Sequence, residues 1–170
     1  GKILVSMPGV PVEMKNLMKN EILPRVSEYF QTPIIRHRTI KTVGIGESNL
    51  MPLIEDWENA LPENIKLAYL PRFGQVRLRL SGIGEDSAEL DGELQSQVEK
   101  LYECIPKYIY GENTDELEEI VGELLRTKKL TLSTAESCTG GHLAQKITSA
   151  AGSSDYYLGS IIAYENDVKV

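Results

Sequence analysis

The sequence predicts an α+β unit in the middle of the chain, followed by the opening of an α/β unit. Three observations carry that expectation. Hydrophobic periodicity switches between 2 and about 3.6 residues in the order β-α-β-β-α from Thr32 to Cys104. A buried-type strand, a Gly-rich polar turn, a helix and a further strand follow from Leu130. Segments bearing Pro or Gly, at Leu23-Pro24 and at Ile105–Glu112, punctuate these stretches.

Taken in order, Lys2 to Met7 is an apolar run that reads as a strand, stopped by Pro8-Gly9-Val10-Pro11. Met14, Leu17, Met18 and Ile22 share a helical face, and Pro24 is expected to kink or end that helix. A strand running straight into a loop and helix looks like the tail of an α/β unit. With Gly rather than Met at position 1, the chain is expected to be a fragment.

Ile34 to Val43 reads as a strand with basic residues interleaved, and Gly44–Ser48 as a turn with Ser48 as helix N-cap. Leu50, Leu53, Ile54, Trp57 and Leu61 form a helical stripe, with Pro52 expected in its first turn. Ile65–Leu70 is a strand and Pro71–Gly74 a loop. Gln75–Ser81 alternates Val76, Leu78 and Leu80 with Arg77 and Arg79, as a half-buried strand does. Leu90, Leu94, Val98, Leu101 and Ile105 then give a long amphipathic helix, so one sheet covered by two helices is expected.

Ile105–Glu112 reads as a linker. Asn113 with Glu116 three residues on resembles a capping box before the stripe Leu117, Ile120, Val121, Leu124 and Leu125. Leu130–Ala135 is a strand, Glu136–Gly141 a turn, Leu143, Ala144 and Ile147 a helix, and Ser160–Tyr164 a second strand. These elements are too few to close a doubly wound fold, so this last unit is expected to be truncated.

Composition narrows the function. At 170 residues, 41% hydrophobic and 25% charged, the chain has a globular composition. No apolar run approaches the roughly 20 residues that cross a bilayer, and no secretory signal is visible. Cys104 and Cys138 are too few for a disulfide framework, which makes the cytoplasm the expected location. A net charge of −7 argues against a protein that works by gripping nucleic-acid backbones. The charge is uneven. Gln31–Ser81 holds seven basic residues against five acidic, while Glu85–Glu123 holds thirteen acidic residues beside Lys100 and Lys107, the pattern of a solvated helix face.

Two clusters could carry chemistry. The first is the strand–turn–helix around Ser137, Thr139, Gly140 and Gly141. Small residues let an anion approach the backbone, the hydroxyls add donors, and the helix dipole favours negative charge. It is neither a Walker loop nor a dinucleotide fingerprint, and by itself it also suits an ordinary tight turn. The second cluster is Gly152-Ser153-Ser154 with Tyr164 and Lys169. A serine hydroxyl attacks a carbonyl once a base removes its proton, and a desolvated lysine or a Tyr–Lys pair can serve. Spacing alone does not show that these residues converge. His37 and His142 stand apart and no Cys/His spacing suits a metal. Cys138 has no evident base, which favours a structural role.

Thr134-Ala135-Glu136-Ser137-Cys138-Thr139-Gly140-Gly141, Ala151-Gly152-Ser153-Ser154 and Tyr164-x-Asn166-x-x-Lys169 together resemble the start of the carboxy-terminal domain of the CinA (competence/damage-inducible protein) family, which includes nicotinamide mononucleotide deamidases. Met7 to Met14 is similar to the end of that family's molybdopterin-binding-like domain, and Thr42–Ser48 with the β-α-β-β-α unit to its KH-like middle domain. The resemblance divides the chain into residues 1–31, 32–105 and 112–170. It implies amide hydrolysis of nicotinamide mononucleotide to nicotinate mononucleotide and ammonia. Ser154 would be the nucleophile, Lys169 its activator and Tyr164 an aid to proton transfer, with Ser137, Thr139, Gly140 and Gly141 holding the mononucleotide. No metal or other cofactor is implied for that reaction. A divalent metal is possible only for the absent amino-terminal domain, linked in some members to ADP-ribose pyrophosphate hydrolysis. The 170-residue chain by itself is expected to be inactive. The implied partners are a mononucleotide substrate and further copies of the chain in a homo-oligomer, with no membrane and no nucleic acid. Competing readings are a KH-like scaffold or nucleic-acid module, and a nucleotide pyrophosphatase.

Overall fold

The computed structural model describes residues 2–30 and 32–169. Residues 2–7 form no strand; regular structure begins with α1 (Pro11–Leu17), which opens on a proline at its first position. A π-helical stretch (Met18–Ile22) joins it directly to α2 (Leu23–Phe30). Pro24 therefore does not end the helix. A proline cannot donate to the carbonyl four residues back, and the wider π turn ahead of it absorbs that mismatch. No described residue of this segment is buried.

The middle of the chain folds as an antiparallel four-stranded sheet in the order β2-β3-β1-β4. Its strands are β1 (Ile34–Val43), β2 (Ile65–Arg72), β3 (Gln75–Gly84) and β4 (Ile109–Glu112). Two helices, α3 (Glu47–Asn59) and α4 (Ser87–Cys104), supply the core residues Leu50, Ile54, Trp57, Leu90, Leu94, Val98 and Leu101. Ile40, Ile65, Val76, Leu78 and Leu80 meet them from the sheet. This is the α+β, KH-like β-α-β-β-α arrangement expected from the sequence, with one strand more.

Several details differ from expectation. Gly46, not Ser48, is the α3 N-cap, so Pro52 falls in the second turn, not the first. Pro71 and Arg72 belong to β2, which leaves Phe73-Gly74 as a two-residue hairpin turn with Gly74 at φ +71°. The expected linker contains β4, whose bonds to β1 fill the edge of the sheet. Asn113 is not a cap. It takes a left-handed φ of 46°, and its Oδ1 accepts from the Thr39 amide at 3.1 Å.

The remaining elements are α5 (Leu117–Lys128), β5 (Leu132–Glu136), α6 (His142–Ser149) and β6 (Tyr157–Ile162). β5 and β6 pair in parallel. β6 starts three residues earlier than its periodicity suggested, because Tyr156 and Tyr157 are drawn inward, Tyr156 being 1% exposed. Gly122 on α5 lies over Tyr156: a Cβ there would sit 2.5 Å from its hydroxyl oxygen. Gly→Ala in a helix normally stabilises by about 1 kcal/mol. Here Gly122→Ala is expected to destabilise by about 1–3 kcal/mol instead, measurable by urea unfolding, because the overpacked ring must move.

Two units are joined by a buried cation. Lys41, on β1, is 2% exposed. Its Nζ donates to the Asp115 carbonyl and lies 3.2 Å from Glu116 Oε1, at the N-cap of α5.

Candidate active site

Parallel pairing sets Leu132 opposite Tyr157 and Glu136 opposite Ile162, so β5 and β6 end on one rim. Crevices beyond the carboxyl ends of parallel strands are where α/β sheets bind ligands. The Ala163 amide donates to the Glu136 carbonyl at 2.8 Å, which makes Ser137 and Tyr164 neighbours just past the strands. The turn Ser137–Gly141 occupies this rim. A Cβ on Gly141 would fall 2.8 Å from Ile162 Cδ1, and its φ is +93°, so glycine lets the turn lie against β6. Tyr164 is exposed, and Lys169 is exposed with its Nζ donating to Asn166 Oδ1 at 3.3 Å.

The rim is organised by a residue to which the motifs assigned no role. Glu136 is 4% exposed. Its Oε2 accepts from the Leu143 amide at 2.9 Å, and its Oε1 accepts from the Ala144 amide at 2.8 Å and the Ser160 hydroxyl at 3.3 Å. Burial raises its pKa, but those amides, with Thr139 and Ser160, outweigh burial and hold the carboxyl below its ordinary value. The His142 and Gln145 amides donate to the Thr139 and Gly141 carbonyls. The N-terminus of α6 is thus already satisfied by an internal anion, and its dipole is not free to attract a second one. Any grip on a phosphate from this turn would come from the Ser137 hydroxyl and from loop amides outside the helix, since Thr139 turns its hydroxyl proton to Glu136. An acidic residue closing a strand six residues ahead of a helix was the signal that could have identified Glu136.

Ser154 lies elsewhere. It sits in a short 3-10 turn (Ser153–Asp155) that leads into β6, whereas Tyr164 and Lys169 follow β6. Arg126 of α5 fixes this turn. Its Nη2 donates to the Ala151 carbonyl at 2.8 Å, its Nε lies 3.3 Å from Asp155 Oδ2, and its guanidinium stacks 5.3 Å from the Tyr156 ring centre. Ser154 itself is exposed, so its hydroxyl is open to solvent. The structure therefore brings Ser137, Thr139, Gly140, Gly141 and Tyr164 to one end of the parallel pair and places Ser154 where the chain enters β6 at the other, while Lys169 lies seven residues past β6 and contacts Asn166.

A cleft of about 460 Å³ opens between the β2–β3 hairpin and the helices of the last unit. Arg72 and Arg77 face Leu117, Val121, Leu143 and the Lys146–Glu118 ion pair across it, the pair at 2.9 Å. His37 shares a 2.9 Å hydrogen bond with Ser81, far along the chain from the rim. Cys138 is exposed and unpaired. Among the described residues no helix is long and apolar enough to cross a membrane.

Comparison with known proteins places both folded units. Residues 37–111 match the model of the damage-inducible protein CinA KH domain, and residues 114–170 that of the CinA C-terminal domain. A CinA-like protein of Cytophaga hutchinsonii is 50% identical over 169 residues, and one of Flavobacterium psychrophilum 52% identical over 169. Each alignment covers 99% of this chain and 40% of the relative. A CinA-like protein of Amoebophilus asiaticus is 40% identical over 168 residues. The chain spans about 40% of the length of these curated relatives. An antiparallel KH sheet followed by a parallel pair with the Ser137–Gly141 turn on its rim, together with these two matches, shows that the chain belongs to the CinA family.

Proposed function

We propose that the protein to which this chain belongs hydrolyses the carboxamide of nicotinamide mononucleotide, giving nicotinate mononucleotide and ammonia. The observation that supports the reading is the shared rim: the Ser137–Gly141 turn and Tyr164, at the head of the segment that leads to Lys169, adjoin at the carboxyl ends of two parallel strands. On this reading the hydroxyl-bearing turn supports the mononucleotide, and Lys169, further along the same segment, supplies a base. The Ser154 oxygen then attacks the carboxamide carbon and gives up its proton to Lys169, two residues that lie before and after β6 in the chain and that the reading requires to meet in the whole protein. The tetrahedral intermediate collapses, that proton leaves with the amine as ammonia, and water hydrolyses the acyl-serine. Tyr164 relays or positions the proton. The reaction as written draws on no metal or other cofactor.

On this reading residues 1–31 are the tail of a molybdopterin-binding-like domain, and the protein works in the cytoplasm, in keeping with two unpaired thiols. The test is ammonia release from nicotinamide mononucleotide by the full-length protein, with Lys169→Ala beside it. A general base contributes about 10²–10⁴-fold, and a loss of that size in the variant is expected. A full-length, folded wild type that releases no ammonia would rule the reading out.

A further inference from the structure

We infer that the middle unit and the last unit move as one rigid body, joined by a strut that leaves no hinge between them. Folded units on one chain move relative to each other by default, through a few linker residues that absorb the change in φ and ψ. Only residues 113–116 lie between β4 and α5. Three of those four are tied to the sheet or folded back onto it.

Asn113 is bound twice to Thr39 of β1. Its amide donates to the Thr39 carbonyl at 2.7 Å, and its Oδ1 accepts from the Thr39 amide at 3.1 Å. That reciprocal pair continues the β1–β4 ladder one residue past the strand. Asp115 closes back on β4: its Oδ2 accepts from the Glu112 amide at 2.7 Å, while its own amide donates to the Glu112 carbonyl at 2.8 Å. The Asp115 carbonyl and Glu116 Oε1 both take the buried Lys41 ammonium. Gly111 is buried under this turn, and a Cβ there would stand 2.8 Å from that of Asp115. Thr39 and Lys41 lie on β1, which is bonded on both sides, so the strut is set into the interior of the sheet.

The far end is fixed as well. α5 is bound to α6 through the Glu118–Lys146 pair at 2.9 Å, and to the turn before β6 through Arg126 and the Ala151 carbonyl at 2.8 Å. A single intervening residue, Thr114, cannot swing α5 without breaking bonds on both sides of it. Every one of these contacts lies within residues 39–151, so none depends on what the rest of the protein covers. The sheet is a fixed platform beside the Ser137–Gly141 rim, and rotation of the middle unit is not a way to open or close that rim.

Two exposed thiols allow a direct test, Cys104 at the end of α4 and Cys138 in the rim turn. Spin labels on both, in full-length protein with any other cysteine replaced by serine, report the distance between the units by pulsed electron resonance. Dilution with unlabelled protein restricts the reading to distances within one copy. A single narrow distribution is expected. Asn113→Gly with Lys41→Met keeps the left-handed backbone at 113 and strands no buried charge, and should widen the distribution about twofold or more with the circular dichroism unchanged. Hydrogen exchange of the wild type needs no variant: the Thr39 and Asn113 amides should exchange as slowly as those of the β1–β3 ladder. A broad or two-peaked wild-type distribution would overturn the rigid body, and so would Thr39 and Asn113 amides that exchange like an open loop. A folded double variant as narrow as the wild type would overturn the strut as its cause. Where the variant does not fold, the two wild-type measurements decide.

Discussion

Glu136→Gln is expected to lower the melting temperature by about 5 °C or more and to disorder the Ser137–Gly141 turn. The carboxylate presents a separate oxygen to each of two amides, Leu143 and Ala144. A glutamine keeps one oxygen and turns an NH₂ toward the other amide, donor against donor. The dipole of α6 loses its compensating charge at the same time. Thermal unfolding reads the first effect and amide hydrogen exchange at Leu143 and Ala144 the second. Acid provides an independent check. The carboxyl is held below its ordinary value of 4.5, so the stability it supplies is complete above that value. It is lost as the pH falls through the lower, folded-state value. The wild type should therefore lose an increment of stability below about pH 4.5 that Glu136→Gln lacks. Superimposable acid profiles would show that the carboxylate contributes nothing as a cap.

Glu116→Ala is expected to destabilise more than Lys41→Met, although Glu116 is the more exposed partner. Removing the glutamate leaves the Lys41 ammonium, 2% exposed, hydrogen-bonded to the Asp115 carbonyl, with the nearby Glu118 carboxylate already paired to Lys146. Stranding a buried charge costs about 3–5 kcal/mol, reduced to about 2 kcal/mol here because half of Glu116 is in solvent. Methionine fills the lysine stem's volume and carries no charge to strand, so it forfeits mainly the hydrogen bonds, about 1 kcal/mol. Urea unfolding of the two variants should rank them in that order, and the reverse ranking would mean that Lys41 reaches water by another route.

The middle sheet was legible chiefly from β3, which buries one face, although β1 buries Ile40, Lys41 and Thr42 in succession. Val76, Leu78 and Leu80 alternate with Arg77 and Arg79, and both helices carry unbroken stripes. β4 was hidden: four residues, Ile109-Tyr110-Gly111-Glu112, are too few to display a period, and their strand character comes from the open edge of β1. The amino-terminal run misled because Ile3, Leu4 and Val5 are apolar enough for a strand but find no partner strand among the described residues. For the candidate site, residue types and spacing drew attention to the turn and the Tyr164–Lys169 segment, and the structure sets Tyr164 beside the turn. Spacing could not reveal that β6 stands between Ser154 and Lys169, since distance along a chain says nothing of which end of a strand a residue occupies. Glu136 stayed without a role because a buried carboxylate is recognised by its donors, and those lie seven and eight residues away.

β4 joins its neighbours in a way that limits how the protein can be cut and reused. By hydrogen bonds it belongs to the middle sheet, yet four residues after it the chain enters α5. Lys41 then spans the seam from the sheet to Glu116. A graft that lifts residues 114–170 onto another carrier removes the anion that a buried lysine was folded around. The donor left behind keeps its strands but inherits an unanswered charge in its wall. The two halves resemble interchangeable modules in sequence, but physically they share masonry, and shuffling one without the other is penalised on the side that seems untouched.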